Sequence, residues 1–329
     1  MEDGIENLRA VEEFLEPDLP ICDAHHHLWE RPPNSYLLSD FVGDLASGHN
    51  VTATIAVECG YGYRKSGADE LRPLGETEFL ESVARQGRSD PRIKTKVAAA
   101  IVGFADLSLG DAVAPVLEGH LALSPSRFRG IRYSTTWDGS GALPNEAPAR
   151  MLLDGRFRRG FGWLKKFDLS FDAWLYHPQL PELADLAGAF PDVTIILNHI
   201  GAPLGVGPYA GKRDEVYQVW RGHMASLAEF PNIVVKLGGV GSVRSGYDWH
   251  QRQIKASSAE LAEILRPYFE VCIDNFSAER CLFESNFPVE KAANSYVILW
   301  NAYKRITKSY SVSERAALFY GTAARVYRI

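Results

Sequence analysis

The stretch ICDAHHHLW at residues 21–29 starts apolar and ends in a histidine cluster, and seven further runs of the same kind follow it. They are VTATIAVECG (51–60), IKTKVAAAIVGF (93–104), FRGIRYSTTW (128–137), SFDAWLYH (170–177), VTIILNHIG (193–201), NIVVKLGGVG (232–241) and CLFESNFPV (281–289). Several are almost continuously apolar, as strands covered on both faces are. Segments with helical spacing lie between and after them: 75–86, 111–123, 149–167, 181–190, 213–230, 258–276, 294–306 and 313–327. Strand then helix, repeated eight times within 329 residues, predicts an α/β fold of the closed (β/α)8 TIM-barrel type. The competing open doubly wound sheet would place a GxGxxG turn after the first strand, and none is there. No Pro/Gly/Ser linker marks a boundary, so 21–329 reads as one barrel domain behind an N-terminal extension at 1–20. The helix-like spacing of ENLRAVEEFL (6–15) predicts a short helix that caps the barrel floor.

A hydrophobic fraction of 46% with 23% charged residues belongs to an ordinary globular chain. The net charge of -6 lacks the broad basic field of a nucleic-acid binder. No run approaches the roughly 18 apolar residues of a membrane span. The N-terminal stretch is acidic and mixed, unlike a secretory signal. The four cysteines form no CxxC pair and read as buried thiols. The expectation is a cytoplasmic protein acting on a small molecule, with no nucleic acid or membrane partner. A homo-oligomer is compatible with these features.

In a barrel of this kind, function sits at the C-terminal ends of the strands. Side chains alternate along a strand, so Asp23, His25 and His27 should share one face and His26 the other. Two imidazoles two residues apart can converge on one ion. His177 ends the fifth run and His199 the sixth, so four of the nine histidines stand at predicted strand ends. Glu58, Arg132, Lys236, Glu284 and Asn286 occupy comparable positions. A charge inside an apolar strand is costly unless paired or used. The bland alternative is a set of structural ion pairs, such as Glu58 with Arg132 or Lys236, or Glu284 with either cation. Arg132 leans towards gripping a substrate carboxylate, because a guanidinium suits that task.

Together DAHHHLW, GIRY, WLYHPQL, IILNHIGAP, VVKLGGV and FESNFPVEK resemble the amidohydrolase superfamily in its amidohydrolase-2 branch, over residues 21 to about 291. Within that branch the sequence is similar to the sugar-lactone and dicarboxylate-lactone hydrolases. The resemblance implies a metal site in which His25, His27 and His177 hold one divalent ion, zinc or manganese. Some members of the branch work without a metal. It further implies that His199 binds a metal or polarises substrate, and that Arg132 meets a substrate carboxylate or oxygen. The chain departs from the pattern at Asn286, where the branch usually has an aspartate that moves the proton of the attacking water. An amide lacks that basicity. Glu284 lies on the same strand face, about 6.6 Å deeper, and is expected to carry the carboxylate function while Asn286 orients substrate or water.

The loop at 61–79 should overhang the mouth, with Tyr63 and Arg64 as substrate contacts; Trp137 and Trp249 should reach it from later loops. These residues point to a metal-dependent hydrolase that opens a lactone or other cyclic ester of a small anionic or polyhydroxylated substrate. A metal-dependent decarboxylase on the same barrel, and a degenerate barrel that only binds, are the alternatives.

Overall fold

In the computed structural model, which describes residues 12–329, the eight expected runs all form strands, each shorter than its apolar run at the C-terminal end. They are β1 (Ile21–His26), β2 (Val51–Val57), β3 (Lys96–Gly103), β4 (Phe128–Ser134), β5 (Ser170–Trp174), β6 (Ile195–Leu197), β7 (Ile233–Leu237) and β8 (Cys281–Phe283). All neighbours pair parallel in the order β1 to β8. The ring closes where the chain just past β8 meets β1: His26 bridges Phe287, and Asn286 N donates to His25 O at 2.8 Å. This is the predicted (β/α)8 barrel.

The helices are α1 (Leu38–Leu45), α2 (Leu74–Ser89), α3 (Ala114–Leu123), α4 (Gly155–Lys166), α5 (Leu180–Ala189), α6 (Arg213–Ala228), α7 (Ser258–Phe276), α8 (Tyr296–Ile306), α9 (Val312–Ala316) and α10 (Thr322–Tyr327). Helix α1 was not expected from the sequence, because in eight residues it buries only Phe41 and Leu45. The predicted helix at 313–327 is split into α9 and α10 by a π turn at 317–321.

Small and aliphatic side chains fill the barrel interior: Cys22, Ala24, Ala53, Ile55, Val57, Ala100, Val102, Ile196, Val234 and Leu282. Ala323 and Tyr327 of α10 pack with them and close the N-terminal end of the barrel. Of the helix expected at 6–15, residues 6–11 lie outside the described residues and 12–15 are not helical. Glu12 and Leu15 instead run along the outer helices, bonded to Ser258 and Asn301. The floor is therefore lined by the helix that follows all eight strands. Apolar side chains between strands and helices form the larger core.

Strand β1 is irregular where the site begins. Asp23 pairs with Thr54 but His26 with Ala56, so β1 carries one extra residue there. Such a bulge resets the alternation of side chains. Asp23 consequently turns outward, taking hydrogen bonds from Ser285 N at 2.8 Å and Tyr296 Oη of α8 at 3.0 Å. This corrects the expectation that Asp23 shares a face with His25 and His27. His26 also faces outward, stacked on Phe41.

Candidate active site

A cavity of about 500 Å³ opens at the C-terminal mouth of the barrel. His27, His199 and Asn286 form its base, Trp29 and Trp174 wall it, and Arg31, Arg132 and Arg244 line it together with Glu58 and Glu146. Directly beneath lies a buried polar network in which His25, Glu284, Lys236 and Asp172 are all fully enclosed.

Glu284 is the hub of that network. Its Oε1 accepts from His199 Nδ1 at 2.6 Å and from His199 N at 3.1 Å. Its Oε2 lies 3.0 Å from His25 Nδ1. Strand β6 ends early, and His199 sits in the following turn with a φ of 55°. A non-glycine residue holds that backbone only where its surroundings enforce it. Glu284 supplies the enforcement, by taking both hydrogen bonds. Gly239 supplies space, since a Cβ there would overlap the His199 imidazole.

His25 Nδ1 faces two groups of opposite demand: the Glu284 oxygen, and Lys236 Nζ at 3.2 Å. Lys236 is itself paired with Asp172 at 2.6 Å, and Asp172 accepts from Tyr327 Oη of α10 at 3.0 Å. When Lys236 donates to His25 Nδ1, the hydrogen of His25 must sit on Nε2 and point at His27 Nε2, 3.1 Å away. His27 can accept it, because its Nδ1–H donates to Val57 O at 2.8 Å. Both rings are held neutral. Burial pushes the His25 pKa well down, helped by the Lys236 charge, and does the same to His27, helped by Arg132. In this tautomer Glu284 Oε2 has no hydrogen-bond donor.

Among the residues expected at the site, Arg132 lines the cavity and is also the ion-pair partner of Glu58, Nε to Oε1 at 2.6 Å. Tyr63 lies beside this pair, its phenol pushed up by burial and by the charges of Glu58 and Glu76. Arg64 pairs with Glu78 instead. The backbone N–H of Trp137 donates to Gln179, and Trp249 is buried in a stack on Tyr247; neither lines the cavity.

His177 is also placed elsewhere. Strand β5 ends at Trp174, so Trp174 takes the position at the mouth. His177 falls in the next turn, against Tyr209 and near His223, and its Nδ1 accepts from Leu204 N. The structure thus brings together His25, His27, His199, Glu284 and Asn286 and leaves His177 outside. The sequence reading missed Trp29, Arg31 and Arg244. Arg31, in the loop directly after the histidine cluster, was the most accessible of them, as a cation beside a predicted mouth.

A family model described as amidohydrolase matches residues 22–329. The chain belongs to the amidohydrolase family. It is 34% identical to an uncharacterised protein of Sinorhizobium fredii, over 95% of this chain and 99% of that one. It is 28% identical to an L-fucono-1,5-lactonase of Burkholderia multivorans, over 93% and 95% of the two chains. The crystal structure of a B. multivorans amidohydrolase with bound zinc superposes with a TM-score of 0.72 at 25% identity, covering 94% of this chain and 99% of that one.

The donor atoms of this amidohydrolase fit a divalent ion. His25, His199 and Glu284 present ligand atoms all within 4.8 Å of one another. The 3.1 Å between His25 Nε2 and His27 Nε2 is close to the roughly 3.3 Å between two nitrogens on one tetrahedral zinc. The orphaned Glu284 Oε2 completes the fit. If His25 gives Nε2 to an ion, its hydrogen moves to Nδ1 and meets that oxygen, the usual support of a metal-bound histidine. A mixed nitrogen–oxygen set suits zinc or manganese.

Proposed function

We propose that this amidohydrolase opens the lactone ring of a small substrate carrying a carboxylate or several hydroxyl groups. The observation that carries the reading is the His199–Glu284 pair at the base of a cavity lined by three arginines. With Nδ1–H bound to Glu284, His199 keeps a lone pair on Nε2 at the cavity side. Nε2 takes a proton from water as it attacks the ring carbonyl, and Glu284 stabilises the imidazolium that results. Asn286 and Arg132 line the same cavity and would serve as donors to the oxyanion. The proton held on Nε2 then passes to the ring oxygen as it leaves, which gives the hydroxy acid. Arg31 and Arg244, each above a tryptophan face at 5.3 and 5.8 Å, offer charge to a substrate anion. A divalent ion held by His25 and His27 through their Nε2 atoms, with Glu284 supporting His25 at Nδ1, would polarise the lactone carbonyl. The similarity to an L-fucono-1,5-lactonase supports this substrate class.

The test is a panel of five- and six-membered aldonic and dicarboxylic lactones, followed by proton release, with and without added zinc or manganese. Turnover of a member, abolished in His199→Ala, is the expected result. Release of carbon dioxide from aromatic acids with no lactone turned over would replace the reading by a decarboxylase.

A further inference from the structure

Behind Asn286 lies a second carboxyl group that the reaction above does not use. Glu290 follows β8 by one turn, its N–H donating to Asn286 O at 3.2 Å, and its side chain is 1% exposed. Glu290 Oε2 accepts from Gly241 N at 2.7 Å. Gly241 has to be glycine, because a Cβ would overlap that oxygen. The other oxygen, Oε1, is enclosed and has no hydrogen-bond partner, and the same is true of Asn286 Oδ1. The Asn286 side chain is close enough to act on the Glu290 carboxyl. An unpartnered buried acceptor on each of two neighbouring side chains is costly, and one proton shared between them would remove both deficits.

We propose that Glu290 is a positioning residue: as a neutral carboxylic acid it donates from Oε1 to Asn286 Oδ1, so that the Asn286 amide turns its N–H₂ into the cavity as a donor to the developing oxyanion. The nitrogen and oxygen of an amide differ little in shape, so the hydrogen-bond partner decides which end faces the substrate. Ionised Glu290 would instead attract the N–H₂ and present the carbonyl oxygen to the oxyanion, which opposes it. The acid therefore makes an asparagine useful at a strand-end position where the resemblance expects an aspartate.

The surroundings favour the neutral acid. Burial pushes the Glu290 pKa up to about 8; the Gly241 N–H works against this, the Glu284 charge with it, and the Asn286 contact against it. Tyr303 of α8 also faces it, its hydroxyl donating to Glu284 O. The adjacent Lys291 is turned away, to Asp44 at 2.6 Å. Lys255, from the loop before α7, bonds Ala292 O at 2.6 Å.

The inference rests on the lactonase reading for its consequence in rate, so one measurement is independent of turnover. Infrared difference spectra of wild type against Glu290→Gln should show a protonated-carboxyl band in wild type that disappears as pH rises through about 8. Kinetically, Glu290→Gln keeps a neutral donor at the same atom, and its kcat should fall by no more than about threefold at pH 7. It should lose the alkaline decline that wild type shows. Glu290→Ala should lose roughly tenfold to hundredfold in kcat with little change in KM. A carboxylate spectrum at pH 7, or Glu290→Gln as inactive as Glu290→Ala, or the same alkaline limb in wild type and Glu290→Gln, would overturn the proposal. A titrating band in an enzyme that turns over no lactone would leave Glu290 as assigned and remove the lactonase reading instead.

Discussion

Replacing Glu284 by glutamine tests the centre of the proposed site. Glutamine keeps an oxygen that can accept from His199 Nδ1 and N, the 2.6 and 3.1 Å contacts, so the imidazole should stay in place. What is lost is the negative charge opposite the imidazolium formed when His199 takes a proton. Two unit charges about 4 Å apart in a partly buried setting interact by about 4 kcal/mol. That corresponds to roughly a thousandfold in kcat. Arg132, Arg31 and Arg244 line the cavity and Glu284 does not, so KM should change little. The assay is steady-state proton release on the best lactone of the panel, with a urea melt of both proteins to show that the fold is intact. A kcat within tenfold of wild type, in a protein of unchanged stability, would refute the claim that His199 works through Glu284.

Other expectations follow from the same geometry. Titration of metal-free protein with zinc or manganese should saturate near one ion per chain; His25→Ala should abolish uptake, and His177→Ala should leave it intact, measured by equilibrium dialysis and elemental analysis. Arg244→Met should raise KM by roughly tenfold to hundredfold for an acidic lactone, with a smaller change in kcat, because a charge-assisted hydrogen bond contributes about 1.5–3 kcal/mol. Lys236→Met leaves Asp172 buried without its cation, which should cost about 3–5 kcal/mol in a denaturant melt; adding Asp172→Asn should recover at least half, and a double variant as unstable as the single one would contradict the pairing.

Much of the fold was legible because burial on both faces of a parallel sheet leaves near-continuous apolar runs. Strand ends were harder. The period-two rule assumes an unbroken ladder, and the extra residue in β1 turned Asp23 towards α8 while leaving His25 and His27 inside. At β5 the apolar run continues to His177, but the strand stops three residues earlier and hands the mouth to Trp174. Glu284 was readable, since a carboxylate in the apolar stretch Cys281–Phe283 and beyond needs a partner. Its partner was not readable: His199 reaches it through a left-handed backbone that no spacing rule anticipates. The pairing of Lys236 with Asp172 was invisible for a similar reason, because it joins two nonadjacent strands across the barrel. Loop residues such as Arg64 and Trp249 look like substrate contacts in sequence, yet Arg64 pairs with Glu78 and Trp249 is buried in a stack on Tyr247.

The helix α10 sends Tyr327 through the floor to Asp172, which holds Lys236, which touches His25. In chain order α10 comes after every strand. During synthesis the whole ring can therefore be present while its lower opening still admits water to a lysine and an aspartate meant to be dry. Until Tyr327 seats, that pair is weakened by solvent and the tautomer of His25 is unsecured. The dry polar layer beneath the site thus depends on α10 being seated.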